Sequence, residues 1–289
     1  MADRRKVTIS TACFGLPDPN SEGPWPTKAS NLQKTVALAE EAASRHSDLL
    51  VLPELFATKQ TGREPREMAE PVPDGEISQM LAGAARKHGM YVAGCLYEQK
   101  ADGLYNTVAI FDRKGELLGK YHKVHLAPGE EEVARPGREY PVFATDFGKL
   151  GAVVCYDLNF PEAARSLALD GAEIILWPTM FSQPRAHYTD VLMRARAIEN
   201  QVWLVSADYS QPGREFGSVH IGRSAIIDWD GMVLADTGRR DGLATATINL
   251  EERGPLAGMP RRLLEDRRPQ TYGRLVQPTD VKPHTETSE

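Results

Sequence analysis

The sequence predicts an α/β protein in which mixed β-sheets carry helices on their outer faces. Two observations lead to this prediction. In the first third of the chain, and again after residue 155, short apolar runs typical of buried strands alternate with longer segments typical of helices. Between these regions and in the last third, strand-like segments follow one another across tight turns, as antiparallel hairpins do.

The first third contains two strand-and-helix repeats. A strand over Lys6–Cys13 precedes an amphipathic helix, which we expect to begin with Ser30 as its N-cap. A continuous apolar strand over Leu49–Leu52 precedes a helix over Glu76–His88. That helix should end at Gly89, because glycine readily adopts the left-handed conformation of a helix C-terminus.

The remaining elements continue the same pattern. The sequence predicts strands over Tyr91–Tyr97, Thr107–Asp112, Gly119–Leu126, Glu173–Trp177, Val202–Ala207 and Ala244–Leu250, helices over Pro161–Asp170 and His187–Gln201, and a hairpin that pairs Ser224–Ile227 with Val233–Ala235. Hairpins among parallel units give mixed sheets.

Composition and charge exclude several classes of protein. The 289 residues are 41% hydrophobic and contain no flexible linker, which suits one domain over residues 1–277 and a polar tail over residues 278–289. The net charge of −6 argues against nucleic acid or an anionic membrane as the main partner. No apolar run approaches the roughly 18 residues that cross a bilayer, and no signal peptide is recognisable. We therefore expect a cytoplasmic protein.

Cys155 differs from the other two cysteines. Cys13 and Cys95 lie inside apolar runs, as reduced buried thiols do, whereas Cys155 follows a buried strand and shortly precedes Pro161, the expected first residue of a helix. This places its thiol on a strand-to-helix turn. Unpaired backbone amides and the positive end of a helix would there favour the thiolate and bind an oxyanion.

Two charged residues occupy comparable positions. Glu54 follows the apolar strand over Leu49–Leu52, and Lys123 lies near the end of the alternating strand Gly119–Leu126. Functional groups gather at strand ends in α/β sheets. A glutamate, a lysine and a cysteine at three such ends form a plausible set of base, cation and nucleophile.

With these residues the chain resembles the nitrilase superfamily of carbon-nitrogen hydrolases. The resemblance rests on Leu52-Pro53-Glu54, Lys120–Leu126, Cys155–Glu162, Arg196–Gln201 and Asp228–Gly231, in this order, and extends from Val7 to about Leu275. It implies a four-layer α-β-β-α sandwich that pairs with a second copy across helices near the cysteine, as a homodimer or within a higher homo-oligomer. It also implies a second glutamate between the lysine and cysteine motifs, for which Glu130 is the candidate and Glu131 and Glu132 are neighbouring rivals. Asn159 departs from the family pattern, where many members have arginine.

These residues suit hydrolysis of a carbon-nitrogen bond without a cofactor. Glu54 would take the proton of Cys155 as the sulfur attacks a carbonyl or nitrile carbon, and would return it to the leaving nitrogen. Lys123 and the backbone amide of Tyr156 would stabilise the oxyanion. A water would then cleave the thioester, held by the second glutamate.

The sequence around Lys123 and Cys155 also allows a metal site or a cysteine-histidine pair. His122 and His125 suggest a metal site, but residues three apart on a strand point to opposite faces, so no metal is predicted. The chain has 7 histidines, so a papain-like pairing of Cys155 with one of them is a second interpretation. However, no histidine lies in a sequence motif that such a cysteine-histidine site requires.

The substrate is the least determined feature. Tyr156-Asp157 after the cysteine resembles the amidase and carbamoyl-hydrolase branches more than the nitrile-specific members, so a small amide or ureido compound is expected. Trp177, Met180 and Phe181 are candidates for an apolar pocket wall. Asn159 is a further candidate for substrate binding, and Arg185, Arg194 or Arg196 is a candidate for binding a substrate carboxylate. A nitrilase acting on nitriles, a non-catalytic binding or scaffolding protein of the same fold, and acyl transfer to an acceptor other than water are the alternatives.

Overall fold

The computed structural model describes residues 5–17, 24–58, 61–181, 186–211, 222–252 and 262–278, without the side chains of residues 186–188. The chain forms two compact units, residues 1–253 and residues 254–289, and this boundary precedes the one that the sequence predicts after residue 277. In the second unit, the described residues form two short 3-10 helices, Pro269–Thr271 and Gly273–Val276. The first unit carries the sheets and helices that follow.

Within the described residues, the strands of the first unit form two mixed sheets. The strands are β1 Lys6–Gly15, β2 Leu49–Val51, β3 Tyr91–Lys100, β4 Gly103–Phe111, β5 Leu117–His122, β6 Val142–Ala144, β7 Lys149–Ala152, β8 Ile174–Pro178, β9 Trp203–Ala207, β10 Tyr209–Ser210, β11 Ala225–Ile227, β12 Val233–Asp236 and β13 Gly242–Asn249. The first sheet has the order β10-β1-β2-β3-β4-β5 with β13 also paired to β1, and the second has the order β12-β11-β9-β8-β7-β6.

The helices cover the outer faces of these sheets. They are α1 Lys28–Ser44, α2 Pro65–Met68, α3 Glu76–His88, α4 Pro161–Leu169 and α5 Ala186–Asn200. One apolar core lies between the two sheets and contains Ile9 and Val51 of the first sheet and Ile174 and Val205 of the second. Another lies between the first sheet and the helices α1 and α3. The predicted four-layer α-β-β-α fold is thus confirmed.

The start of α1 corrects the sequence prediction. The N-cap is Thr27, whose hydroxyl accepts a hydrogen bond from the Ser30 amide at 3.1 Å, while the Ser30 hydroxyl accepts one from the Thr27 amide at 2.9 Å. Ser30 is therefore the third helical residue of a capping box. Its hydroxyl does cap the helix, but from inside the first turn. In contrast, α3 has the predicted bounds, and Gly89 follows it with a left-handed φ of 62°.

The described ranges contain no helix that is both long enough and apolar enough to cross a lipid bilayer.

Candidate active site

The carboxyl ends of three strands place Glu54, Lys123 and Cys155 at one edge of the sandwich. Glu54 follows β2, Lys123 follows β5 directly, and Cys155 follows β7. The ammonium of Lys123 lies 3.1 Å from Glu54 Oε1, and the Cys155 thiol lies within electrostatic reach of both charges. Glu54 and Lys123, which are 69 positions apart in sequence, therefore meet because β2 and β5 run in the same direction and end at the same edge of the first sheet.

Lys123 lies between two carboxylates. Its ammonium also donates to Glu130 Oε2 at 2.6 Å, and the lysine is only 2% exposed. Burial by itself would lower the pKa of Lys123, but the nearby carboxylates of Glu54 and Glu130 outweigh it and raise that pKa above its ordinary value. Lys123 is therefore a fixed positive charge throughout the pH range in which proteins remain folded.

Glu130, and not its neighbours, faces the lysine. It begins the 3-10 helix Glu130–Glu132, and its Oε2 also accepts a hydrogen bond from the Ala127 amide at 3.0 Å. Glu131 and Glu132 are exposed on the other side of this short helix. The run of three glutamates is hence part buried and part solvated, a distinction that the sequence left open.

The backbone at Cys155 is held in an unusual conformation. Its φ is +45°, in the left-handed region that costs a residue with a side chain roughly 1–2 kcal/mol. The strand β7 ends at Ala152, and Cys155 begins a 3-10 helix, Cys155–Asn159, that precedes α4. The indole of Trp177 donates to the Cys155 carbonyl at 3.0 Å and so stabilises this turn from below.

The environment of Cys155 favours the neutral thiol, whereas the sequence predicted a turn that favours the thiolate. Burial of the sulfur raises the pKa of Cys155, the charge of Glu54 raises it further, and Lys123 only partly opposes them. The expected help from a helix N-terminus is small because α4 begins only at Pro161. Cys155 is therefore protonated at neutral pH and requires a base, for which Glu54, whose charge acts on the thiol, is the candidate.

Tyr156, the predicted backbone donor to an oxyanion, is the second residue of this 3-10 helix. An amide in the first turn of a helix has no partner within that helix, so the amide of Tyr156 is available to a ligand. Its carbonyl accepts a hydrogen bond from the Asn159 side chain at 2.9 Å.

Asp157 connects the lysine loop to the cysteine loop. Its carboxylate is fully buried and accepts hydrogen bonds from the Tyr121 hydroxyl at 2.7 Å and the Val154 amide at 2.9 Å. It also bonds the amide and the ring Nδ1 of His125, at 2.8 and 2.9 Å. Tyr121 and His125 lie two residues before and after Lys123, and Val154 directly precedes Cys155. The bonds of Asp157 therefore fix the spacing between the lysine loop and the cysteine loop.

Replacing Asp157 with asparagine should reduce the free energy of unfolding by about 2–4 kcal/mol, because the amide cannot accept all of these buried bonds. Urea denaturation measures this change. The matched control is Asp102→Asn, which alters an aspartate that also accepts from a tyrosine hydroxyl, Tyr105 at 2.6 Å, but at the surface. We expect no measurable change there, because surface substitutions away from such networks have little effect on stability. Equal effects of the two substitutions would contradict the role of Asp157.

The structure places the predicted substrate-binding residues differently. Trp177 is fully buried beneath Cys155, so it supports the cysteine turn and does not form a pocket wall. Phe181 is 5% exposed and packs edge-on against Trp177 with ring centroids 5.8 Å apart. The Asn159 amide bonds its own 3-10 turn, and Arg185 lies outside the described residues.

Arg194 and Arg196 are engaged by the protein itself, contrary to the expectation that they are available to a substrate carboxylate. Arg196 is 7% exposed and donates to the carbonyls of Leu158 and Asn159 at 3.0 and 3.3 Å. Arg194 bonds Asp190 and the Gly231 carbonyl. The two guanidinium groups tie α5 to the cysteine turn and to the hairpin of β11 and β12.

The two histidines beside Lys123 bond different carboxylates. His122 Nε2 lies 2.7 Å from Glu98 Oε2, and His125 Nδ1 lies 2.9 Å from Asp157 Oδ1. The two rings thus point to different partners, but not because of strand alternation, since β5 ends at His122 and His125 lies in the loop that follows. In the described ranges, no group of three or more potential ligands is arranged to hold a metal ion.

Sequence reasoning missed Asn106 on β4. The residue is fully buried, and its side-chain nitrogen lies 2.8 Å from both Glu54 Oε1 and Glu130 Oε1. An amide inside an otherwise apolar strand was the available signal, because buried polar side chains need partners. What those partners are could be read only from the fold.

Comparisons with known proteins show the family of this chain. A profile of the carbon-nitrogen hydrolase family matches residues 11–257. Omega-amidase NIT2 from Xenopus tropicalis is 34% identical over 240 residues, which cover 78% of this chain and 85% of that protein. A nitrilase from Pyrococcus abyssi is 35% identical over 251 residues, which cover 84% of this chain and 93% of that protein.

Among solved structures, a mutant of the amidase from Nesterenkonia sp. AN1 superimposes with a TM-score of 0.75 at 25% identity, covering 93% of this chain and 100% of that one. It shows the result of Michael addition of acrylamide at the active site cysteine of that protein. The chain therefore belongs to the carbon-nitrogen hydrolases of the nitrilase superfamily, enzymes with an active-site cysteine, and its relatives include amidases.

Proposed function

We propose that the protein hydrolyses the carbon-nitrogen bond of a small amide or N-carbamoyl compound through a thioester on Cys155, with release of ammonia. The observation that carries this proposal is the buried contact of Lys123 with Glu54 and Glu130 beside a protonated thiol. Such an arrangement supplies a nucleophile, a base and a fixed cation without a metal or an organic cofactor.

Acylation begins when Glu54 accepts the Cys155 proton and the sulfur attacks the carbonyl carbon of the substrate. The negative charge that forms on the carbonyl oxygen is stabilised by the Lys123 ammonium and the Tyr156 amide. Glu54 then donates the proton to the nitrogen, the carbon-nitrogen bond breaks, and ammonia leaves. The acyl group remains as a thioester of Cys155.

Deacylation uses the same residues with water as the nucleophile. Glu54 accepts a proton from the water, whose oxygen attacks the thioester carbon, and the sulfur leaves and regains the proton. The products are a carboxylic acid, or a carbamic acid from a ureido substrate, and the free thiol. Glu130 keeps Lys123 in place during both steps through its 2.6 Å contact.

An amide substrate has more support than a nitrile. Tyr156-Asp157 resembles the amidase branches, and the relatives include an omega-amidase and an amidase. Similarity to a protein named nitrilase keeps nitrile hydrolysis as the second candidate.

The predicted homodimer stays a prediction; the exposed apolar residues Leu169 on α4 and Val191 on α5 are the kind of surface it would cover.

A panel of primary amides, ureido acids and nitriles, assayed for ammonia release, tests this proposal. We expect turnover of at least one amide or ureido acid and none by the Cys155→Ala variant. Release from nitriles alone would support the second candidate. If no compound class releases ammonia while the wild-type protein is folded, the chain is better explained as a binding protein of this fold.

A further inference from the structure

Asn106 lies at the centre of the polar cluster that contains Glu54, Lys123 and Glu130. It is a fully buried residue of β4, paired with Tyr97 of β3 in the sheet register. Its amide group has two N–H donors, and both acceptors within reach are carboxylate oxygens, Glu54 Oε1 and Glu130 Oε1, each at 2.8 Å. The side chain therefore joins the two glutamates directly.

Together with Lys123, this amide closes a ring of four groups. Lys123 donates to Glu54 and Glu130 on one side, and Asn106 donates to the same two residues on the other. The ring contains two carboxylates and one ammonium, so it has an excess negative charge in a buried place. Two further N–H donors compensate part of this excess, because hydrogen bonds to ionised groups are among the stronger ones.

A hydrogen bond to its oxygen fixes the orientation of the Asn106 side-chain amide. The Cys95 thiol lies 3.0 Å from Asn106 Oδ1 and donates to it, and the Asn106 backbone carbonyl accepts the Lys123 amide at 2.9 Å. A reversed amide would direct its oxygen at two carboxylates. Cys95, which the mechanism does not use, thus serves the site by keeping the N–H donors of Asn106 towards the glutamates.

We infer that Asn106 is a positioning residue that holds the carboxylates of Glu54 and Glu130 in place around Lys123, so that Glu54 remains positioned to accept the Cys155 proton. This inference rests on the proposed function for its kinetic part. A role in donating hydrogen bonds can be distinguished from a role in packing by an isosteric substitution. Aspartate has nearly the same shape as asparagine but lacks the two donors, so a role in filling space would be preserved by Asn106→Asp and a role in donating would not.

The kinetic test compares Asn106→Ala and Asn106→Asp on an amide substrate. We expect kcat to fall by about 10- to 100-fold in both variants, with KM within about 3-fold, because misplacing a base by a fraction of an ångström affects the reaction more than binding. The isosteric variant should be no more active than the alanine variant. Thr107→Val is the matched control, since Thr107 is an equally buried neighbour on β4 that bonds Glu98 instead.

A second measurement does not depend on the substrate. Asn106→Asp should lower Tm more in the wild-type background than in the Glu130→Gln background, because a third carboxylate is less unfavourable when one neighbour is neutral. Equal Tm shifts in the two backgrounds, or an Asn106→Asp variant with wild-type kcat, would overturn the inference. Absence of turnover by the wild-type protein would count against the proposed function alone, and the Tm comparison would still decide the role of Asn106.

Discussion

Replacing Glu54 with glutamine is expected to lower kcat by about 10³- to 10⁴-fold, because general acid-base catalysis by one group acts here in both half-reactions. Burial and the Glu54 charge keep the Cys155 thiol protonated, so the thiolate forms only if the carboxylate accepts its proton. Glutamine has the same shape but cannot accept it. The rate of ammonia release at saturating substrate measures the effect.

Glu98→Gln provides the control for this substitution. Glu98 is 2% exposed and lies on β3 of the same sheet, but it bonds Lys120, His122 and Thr107 away from Cys155. We expect kcat within about 3-fold of wild type, as for a buried residue outside the site. Retention of most activity by Glu54→Gln, with loss in a histidine variant, would instead support a cysteine-histidine mechanism.

The second large effect is expected for Lys123→Met. This substitution removes the cation between Glu54 and Glu130, which approach Lys123 Nζ to 3.1 and 2.6 Å. Removing one partner of a buried ion pair costs about 3–5 kcal/mol, because the remaining charges are left uncompensated. Loss of the cation at the developing oxyanion should also lower kcat by about 10²- to 10³-fold.

Chemical denaturation and ammonia release measure the two effects separately. Lys120→Met is the control, because Lys120 is partly exposed and its buried partner Glu98 keeps its contacts with His122 and Thr107 when the ammonium is removed. We expect it to change the free energy of unfolding by only about 1 kcal/mol. A Lys123→Met protein as stable as wild type would show that the two glutamates do not depend on this ammonium.

Most secondary structure could be predicted from local patterns. The bounds of α3 were predicted fully because its apolar spacing and Gly89 both mark them. The N-cap of α1 was assigned to Ser30 instead of Thr27 because both residues suit a cap and only the hydrogen bonds distinguish them. Short edge strands such as Val142–Ala144 escaped prediction, since three residues carry too little periodicity.

The site was predicted less completely than the fold. Strand ends predicted that Glu54, Lys123 and Cys155 lie near one another, and the structure brings Glu54 and Lys123 to 3.1 Å because strands of an α/β sheet end at a common edge. The substrate-binding predictions depended on which way side chains point, and Trp177 and Arg196 were found supporting the cysteine turn instead. Residues that act through another group, such as Asp157 and Asn106, have no motif of their own.

The sequence by itself determined the family and the mixed sheets with outer helices, because ordered motifs and apolar periodicity are local properties of the chain; the family resemblance added the four-layer architecture and the proposed roles of Glu54, Lys123 and Cys155. The tertiary structure alone decided that Glu130 and not Glu131 or Glu132 faces Lys123, that the Cys155 thiol rests protonated, and that Asn106 links both glutamates. These features depend on distances and burial between segments remote in sequence, which exist only once the strands have paired.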